Sequence, residues 1–192
     1  RKVVLDFYEK GLNQKDADAA IALMGNRYVQ HNPNAPDGPE GFRKFIGFLK
    51  EKFPNAVKDD TRQGYSGIIV DKNHLVEVAT AMRDEMGYDY LSSATAVDYH
   101  GIADEMEMVY HAYKTVGGPA LLFKAQTNRN TPEIPSLIDV WPGADFQERE
   151  AYDLYGIQFP GHPNLKRILM WEGFNGYPMQ YRHQPLTVGV GD

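Results

Sequence analysis

The stretch Glu148–Leu169 combines carboxylates, cations, aromatic rings and a Gly-His-Pro turn more densely than any other part of the chain. Its first residues, Glu148, Arg149 and Glu150, are predicted to lie on a helix. Three consecutive helical residues point around most of the helix circumference. At least one charge therefore faces a packed surface, where an unpartnered charge costs several kcal/mol. The stretch is thus either a solvated face followed by a tight loop or an ion-pair network, internal or across a protein interface.

The aromatic content of the same stretch favours an interface. Protein interfaces are enriched in arginine and aromatic side chains at their centres, and Arg149 is followed here by Tyr152, Tyr155 and Phe159. His162 is predicted to act as a turn residue whose ring caps nearby backbone. An interface contact or proton carrier is its alternative role, because histidine changes charge near neutral pH.

No catalytic constellation is recognisable in the sequence. The chain has no cysteine, which excludes disulfides, zinc–thiolate sites and ordinary iron–sulfur ligation by its own residues. Metalloprotease, hydrolase, dinucleotide and phosphate-loop motifs are also missing. Asp139 and Asp153 are weak candidates for general acids, since neither has a partner in the sequence. We therefore expect no catalytic residue, no bound cofactor and no metal site.

Charge and hydropathy limit the partners. A net charge of −6 argues against binding to a nucleic-acid backbone, which requires a basic face. No apolar run approaches the roughly 20 residues of a membrane span. The sequence therefore predicts a cytoplasmic-type protein without a direct membrane span.

The periodicity of apolar residues predicts three amphipathic helices followed by a sheet-forming block. Proline at position 39 suits the start of the third helix, and Gly156 is a left-handed stop for the last one. The polar segment Val57–Ser66 is the predicted boundary. The predicted helices are Val3–Leu12, Asp16–Met24, Phe42–Phe53, Asp71–Met86 and Ala144–Tyr155, and the predicted strands are Gly67–Val70, Tyr88–Tyr99, Glu105–Lys114 and Ala120–Gln126, the last two joined as a hairpin.

These elements predict an α+β fold, in which N-terminal amphipathic helices pack on a mixed or antiparallel sheet. A C-terminal helix, a turn and an extended tail complete the fold. Because the only sheet lies downstream, we expect the first helices to share a core with it rather than to form an independent domain.

The motif Glu148-Arg149-Glu150, Tyr152-Asp153, Gly156-Ile157, Phe159 and Gly161-His162-Pro163, followed by Leu165, Lys166-Arg167 and Ile168-Leu169, resembles the signature of a known family. That family is the C-type, 30-kilodalton subunit of NADH:quinone oxidoreductase, respiratory complex I. Upstream, Pro135–Trp141, Gly87–Leu91 and Ala96–Tyr99 are similar to the family as well. The resemblance covers about residues 67–179.

The resemblance implies a small α+β subunit of the hydrophilic arm that holds no redox centre and supports assembly. It implies docking against the D-type, quinone-site subunit and the cluster-bearing B-type and I-type subunits, at the cytoplasmic face of the inner membrane. On this basis the predicted interface residues are Glu148, Arg149, Glu150, Tyr152, Asp153, Tyr155, Phe159, His162, Pro163, Leu165 and Arg167.

Residues 1–57 resemble a different family, the N-terminal half of SnoaL-like proteins of the NTF2-like superfamily. The resemblance rests on Asp6-Phe7-Tyr8, Tyr28–Pro33 and the Phe42–Phe53 helix. It implies, as an alternative, a small-molecule isomerase, cyclase, hydrolase or ligand-binding module with a pocket beside Tyr28 and His31. The predicted domains are therefore 1–57 and 58–192. A fusion near Val57 with neither activity is a third interpretation.

Overall fold

The computed structural model describes residues 39–180, and for residues 39–45 it describes the backbone alone. The chain divides into two compact units, residues 1–46 and residues 47–192. Of the first unit, only the beginning of one helix is among the described residues. The elements predicted before residue 39 lie outside the described part of the chain.

Five strands form one mixed sheet in the order β1-β2-β5-β4-β3. Strands β3, β4 and β5 pair antiparallel in succession as a meander, whose second half is the predicted hairpin. β2 joins β5 in parallel, and β1 pairs antiparallel with β2. With its helices this sheet makes an α+β fold, which confirms the predicted class. The strands are β1 Val57–Asp59, β2 Ile68–Val70, β3 Tyr90–Asp98, β4 Glu105–Tyr113 and β5 Leu121–Asn128.

One face of the sheet carries the apolar core. Tyr110 on β4 lies opposite Phe123 on β5 and Ala94 on β3, and all three side chains are buried. The rings of Tyr110 and Phe123 stack with centroids 4.8 Å apart, and the ring centroids of Trp141 and Phe123 are 6.0 Å apart. Because a slip of one residue would expose these large side chains, the core fixes the register of the meander.

The helices begin and end at residues that carry local signals. Proline at position 39 starts α1, where its fixed φ suits the first helical position. Asp71 accepts a hydrogen bond from the Asn73 amide and so caps a short 3-10 turn that leads into α2. Gly156 ends α3 with a φ of 79°, in the left-handed region. The helices are α1 Pro39–Lys52, α2 Leu75–Asp84 and α3 Ala144–Tyr155.

The opposite face of the sheet holds a buried ionic cluster that the sequence did not predict. Glu107 lies on the expected face of β4, but its side chain is fully buried. Lys124 of β5 is buried as well and pairs with Asp60, and Arg62 bridges Asp60 at 2.7 Å and Glu107 at 2.8 Å. The Arg62 guanidinium holds the pKa of Asp60 well below its usual range.

The predicted boundary at Val57–Ser66 contains structure that the sequence did not reveal. Its first three residues form the edge strand β1, and Asp60 and Arg62 join the ionic cluster described above. The division of the chain into domains 1–57 and 58–192 stays a prediction.

Candidate functional site

The candidate site is built on α3, which buries two charged side chains beside each other. Pro142 and Gly143 separate the helix from the preceding turn, so that it begins at Ala144. Glu148 is 0% exposed and Arg149 is 8% exposed, although the two are consecutive residues. Each therefore faces a different packed segment: Glu148 meets residues 136–137, whereas Arg149 meets the segment after the Gly-His-Pro turn.

Glu148 is held by two neutral donors. Its Oε2 accepts a hydrogen bond of 2.6 Å from the Ser136 hydroxyl, and its Oε1 accepts one of 2.7 Å from the Leu137 amide. Burial raises the pKa of Glu148 to about 7, against the opposing effect of these two hydrogen bonds. Glu148 is therefore a carboxyl whose charged form is disfavoured by its surroundings.

Arg149 and Glu150 differ in exposure. The Nε of Arg149 donates to the Lys166 carbonyl at 3.2 Å, and its Nη1 lies 3.9 Å from the Asp145 carboxylate. Its guanidinium also lies 5.4 Å from the centre of the Phe146 ring. Glu150, by contrast, is exposed. Of the three consecutive charges, Glu150 is the one available at the surface.

Asp153 is the central anchor of the site. Its Oδ2 accepts hydrogen bonds of 2.7–2.9 Å from the amides of three successive residues, 168–170. Its Oδ1 pairs with Arg167 at 2.9 Å. Burial acts to raise the pKa of Asp153, but the three amides and Arg167 outweigh it and lower the pKa. One carboxylate thus fixes the backbone of residues 168–170 on α3.

Arg167 extends this anchor to the end of the described chain. It donates to the Gly176 carbonyl at 2.8 Å, and its guanidinium lies 5.2 Å from the centre of the Tyr177 ring. Tyr177 in turn meets Tyr152 edge-on, with centroids 6.2 Å apart. Residues 167–177 are therefore held on α3 by polar and aromatic contacts, although they contain no helix or strand.

His162 has the structural environment predicted for a turn residue. Its side chain is fully buried, and its Nδ1 accepts a hydrogen bond from the Asn164 amide at 3.1 Å. Nε2 therefore carries the hydrogen in the neutral ring, and it lies 3.3 Å from the Asp145 carbonyl oxygen. The turn itself is closed by the His162 amide, which donates to the Phe159 carbonyl at 3.0 Å.

The remaining predicted interface residues vary in exposure. Phe159 is 2% exposed and belongs to the core. The side chains of Tyr152, Tyr155 and Leu165 are half-buried, and Pro163 is exposed. The structure thus brings all the predicted residues of this stretch together on α3 and the segment after it, but the buried ones are satisfied within the chain. Tyr28 and His31, the predicted pocket residues, lie outside the described residues.

The sequence did not predict that apolar side chains of residues 169–179 would be exposed. Leu169 is 54% exposed, Trp171 is 67% exposed and Met179 is 54% exposed. Phe146 on the first turn of α3 is 65% exposed. The sequence contained an indication of this, because the tail has aromatic residues but lacks a periodicity that would bury them on one face. Whether a given side chain is exposed, however, depends on tertiary packing.

Neither a metal cluster nor a membrane helix is found among residues 39–180. No three histidine, aspartate or glutamate side chains among residues 46–180 are placed to hold a metal ion. None of the described helices is both long and apolar enough to cross a bilayer.

Comparison with known proteins decides the family. The family described as "Respiratory-chain NADH dehydrogenase, 30 Kd subunit" matches residues 68–186. The chain belongs to this family. The C-type subunit of NADH-quinone oxidoreductase from Moorella thermoacetica is 39% identical over 147 residues, which cover 76% of this chain and 97% of that protein. The protein of the same name from Citrifermentans bemidjiense is 39% identical over 133 residues, covering 69% of this chain and 83% of the relative.

Two solved structures have a similar fold. A trypsin-resistant fragment of Nqo5 aligns with a TM-score of 0.53 at 26% identity, covering 65% of this chain and 98% of the fragment. A chain of the membrane-bound sulfane sulfur reductase, an archaeal respiratory membrane complex, aligns with a TM-score of 0.57 over 74% of this chain and 82% of its own. At 23% identity the second likeness shows the fold alone. The resemblance to the 30 kDa subunit is thereby confirmed, whereas the SnoaL-like resemblance of residues 1–57 stays a prediction.

Proposed function

We propose that this member of the 30 kDa subunit family is a non-catalytic, cofactor-free subunit that supports assembly of the hydrophilic arm of an NADH:quinone oxidoreductase. Its partners in this proposal are the D-type, quinone-site subunit and the cluster-bearing B-type and I-type subunits. The chain would sit peripherally, on the cytoplasmic face of the inner membrane, as one part of a complex. Relatives named as the C-type subunit of this oxidoreductase support the proposal.

The proposal rests on the apolar side chains that follow α3, which are exposed to solvent although the backbone that carries them is fixed. Asp153 and Arg167 fix the backbone around Leu169 and Trp171, yet both side chains are more than half exposed. A free loop would gain little from fixing its backbone while leaving such side chains in water. A binding surface gains affinity from the same arrangement, because the conformational entropy of the segment is already lost in the free protein and is not lost again on binding.

Eight of the eleven predicted interface residues then divide into two roles. Glu150, Pro163, Leu165 and the half-buried tyrosines of α3 would contact the partner directly. Arg149, Asp153 and Arg167 would act by holding the segment in place, since each makes a hydrogen bond to another part of the chain. An exposed apolar centre bordered by polar side chains is the usual anatomy of an interface.

Recovery of the partners tests the proposal. The full chain would be affinity-purified from cells that contain the oxidoreductase, and the recovered proteins would be identified by mass spectrometry. We expect the quinone-site subunit and the two cluster-bearing subunits in the eluate, and no iron or flavin in the chain after it is separated from them. Recovery of the chain alone, or of iron or flavin bound to it, would contradict the proposal.

Arg149→Ala should weaken assembly, because the change frees the segment around Lys166 from α3. We expect the chain's recovery in the complex to fall several-fold on a native gel. Arg83→Ala is the matched control. Arg83 also anchors an irregular segment by donating to backbone carbonyls, in its case those of Asp139 and Val140. Wild-type recovery of the Arg149 variant, or an equal loss in the Arg83 variant, would count against a specific role.

A further inference from the structure

Glu148 differs from the other fully buried carboxylates of the described chain. Each of the others is paired with at least one cation: Glu107 with Arg62, Asp153 with Arg167, and Asp60 with Arg62 and Lys124. Glu148 has no cation within ion-pair distance among the side chains of residues 46–180; its two hydrogen-bond donors are a hydroxyl and a backbone amide. An ionised carboxylate in such surroundings is poorly compensated for its lost hydration.

The groups that face Glu148 from each packed element do not supply the missing positive charge. Asp145, one turn earlier on α3, is acidic and acts to raise the pKa of Glu148. Tyr110 of β4 is fully buried, its hydroxyl has no hydrogen-bond partner among the described residues, and its pKa is raised by burial and by Glu148. From the Gly-His-Pro turn, His162 contacts Asp145 rather than Glu148. Ionisation of Glu148 is therefore opposed from several sides.

The two hydrogen bonds of Glu148 join separate parts of the chain. Ser136 and Leu137 belong to the segment between β5 and α3, and Glu148 belongs to α3 itself. The amide of Ser136 also donates to the Pro160 carbonyl at 2.9 Å, and the amide of Ile134 donates to the Gln158 carbonyl at 3.0 Å. Through this backbone pairing, the contact at Glu148 links the Gly-His-Pro turn to α3 as well.

We propose that Glu148 is a protonation-controlled clasp, which holds residues 136–137 on α3 when its carboxyl is neutral and lets them open to water when it is ionised. The closed form suits the neutral carboxyl, which loses little by burial. In this form the protonated oxygen donates to the Ser136 hydroxyl, and the other oxygen still accepts from the Leu137 amide. The open form suits the carboxylate, because water can then complete its solvation. The inference concerns the chain itself and does not depend on its partners.

The expected size of the effect follows from linkage. The pKa of Glu148 is about 7 in the closed form, whereas a solvated glutamate has a pKa of about 4.3. The closed form therefore binds more protons than the open form between these values, and opening becomes more favourable as the pH rises. Between pH 6 and pH 8 the open-to-closed ratio should rise by about tenfold.

Hydrogen exchange of the Leu137 amide measures this opening directly. In the full chain we expect its protection factor, corrected for the intrinsic exchange rate, to fall by about tenfold from pH 6 to pH 8. In Glu148→Gln, which cannot ionise, the protection factor should not change with pH. Glu150→Gln, on the exposed neighbour, should keep the wild-type dependence. His162→Asn should keep it as well, although histidine in general also changes charge near neutral pH.

Two results would overturn the clasp. One is a fall in Leu137 protection that persists in Glu148→Gln or disappears in His162→Asn. The other comes from the unaltered chain, in which the carboxyl carbon of Glu148 is titrated by NMR; a midpoint near 4 instead of near 7 would refute the proposal. The second measurement needs no variant, so it decides the question even where Glu148→Gln does not fold.

Discussion

At the scale of single residues, α3 uses buried carboxylates in two different ways. Asp153 is ionised and accepts hydrogen bonds from three amides and from Arg167, so its charge is well compensated. Glu148 has two neutral donors and a raised pKa. The first carboxylate fixes residues 167–177 on α3, whereas the second makes the neighbouring segment, residues 136–137, sensitive to pH.

Asp153→Asn should destabilise the chain by about 3 kcal/mol, because removing one partner of a buried charge pair leaves the other partner uncompensated. The amide also cannot reproduce the acceptor strength that a carboxylate offers to three donors. Urea unfolding at pH 7 measures the change. Asp139→Asn, at an exposed position, should change the free energy of unfolding by no more than about 0.5 kcal/mol. Equal stability of the two variants would contradict the role assigned to Asp153.

The site residues could be predicted from the sequence as a group, but their burial could not. The motif between Glu148 and Arg167 contains residues that the structure brings together on α3 and the segment after it, and their place at an interface stays a prediction. It did not predict that Glu148 and Arg149 would both be buried, because their partners at residues 136–137 and 166 are distant in sequence. Trp171 was missed because its exposure depends on how Asp153 fixes the backbone beside it.

At the scale of elements, the end of α3 determines where residues 167–177 lie. Gly156 has a positive φ, and a Cβ atom added there would lie 2.6 Å from the Tyr177 ring. The glycine therefore serves two purposes: it ends the helix and it lets the returning tail pack against that end. The Met179 amide donates to the Leu154 carbonyl at 2.9 Å, which closes the tail onto the last turn of α3.

Gly156→Ala should cost clearly more stability than Gly173→Ala. Both glycines have a positive φ, but nothing lies within 4 Å of a Cβ added at Gly173. Gly173→Ala should therefore cost about 1 kcal/mol, from backbone strain alone, whereas Gly156→Ala must also displace Tyr177. Thermal unfolding of the two variants separates the backbone strain from the cost of displacing Tyr177. Similar melting temperatures would show that the Tyr177 contact does not contribute to stability.

Most elements were predictable because local signals mark their ends. Gly143 and Gly156 bracket α3, and alternating residues mark β4, whose bounds agree with the prediction to within one residue. β1 was not predictable, because Val57–Asp59 has one apolar residue and becomes a strand only by pairing with β2. The same applies to Glu107, whose burial depends on Arg62, 45 residues away.

At the scale of the whole molecule, the chain is a member of a family of respiratory-chain subunits whose match begins at residue 68. Within residues 47–180, the charges with the strongest structural roles are satisfied internally, and a large apolar group is left exposed on a fixed segment. This combination favours a scaffold that offers a preformed surface to neighbouring subunits. The SnoaL-like resemblance of residues 1–57, with the pocket beside Tyr28 and His31, stays a prediction.

The most direct test of the scaffold proposal is assembly of the complex with Trp171→Ala, followed on a native gel and by affinity recovery. Trp171 is 67% exposed, so its loss should spare the fold but remove a central apolar contact worth about 2 kcal/mol, or roughly a thirtyfold loss of affinity. Ile102→Ala is the matched control, at an exposed apolar side chain in the turn between β3 and β4. We expect the chain to leave the complex in the Trp171 variant and to stay in it in the Ile102 variant. Full recovery of the complex with Trp171→Ala would contradict it.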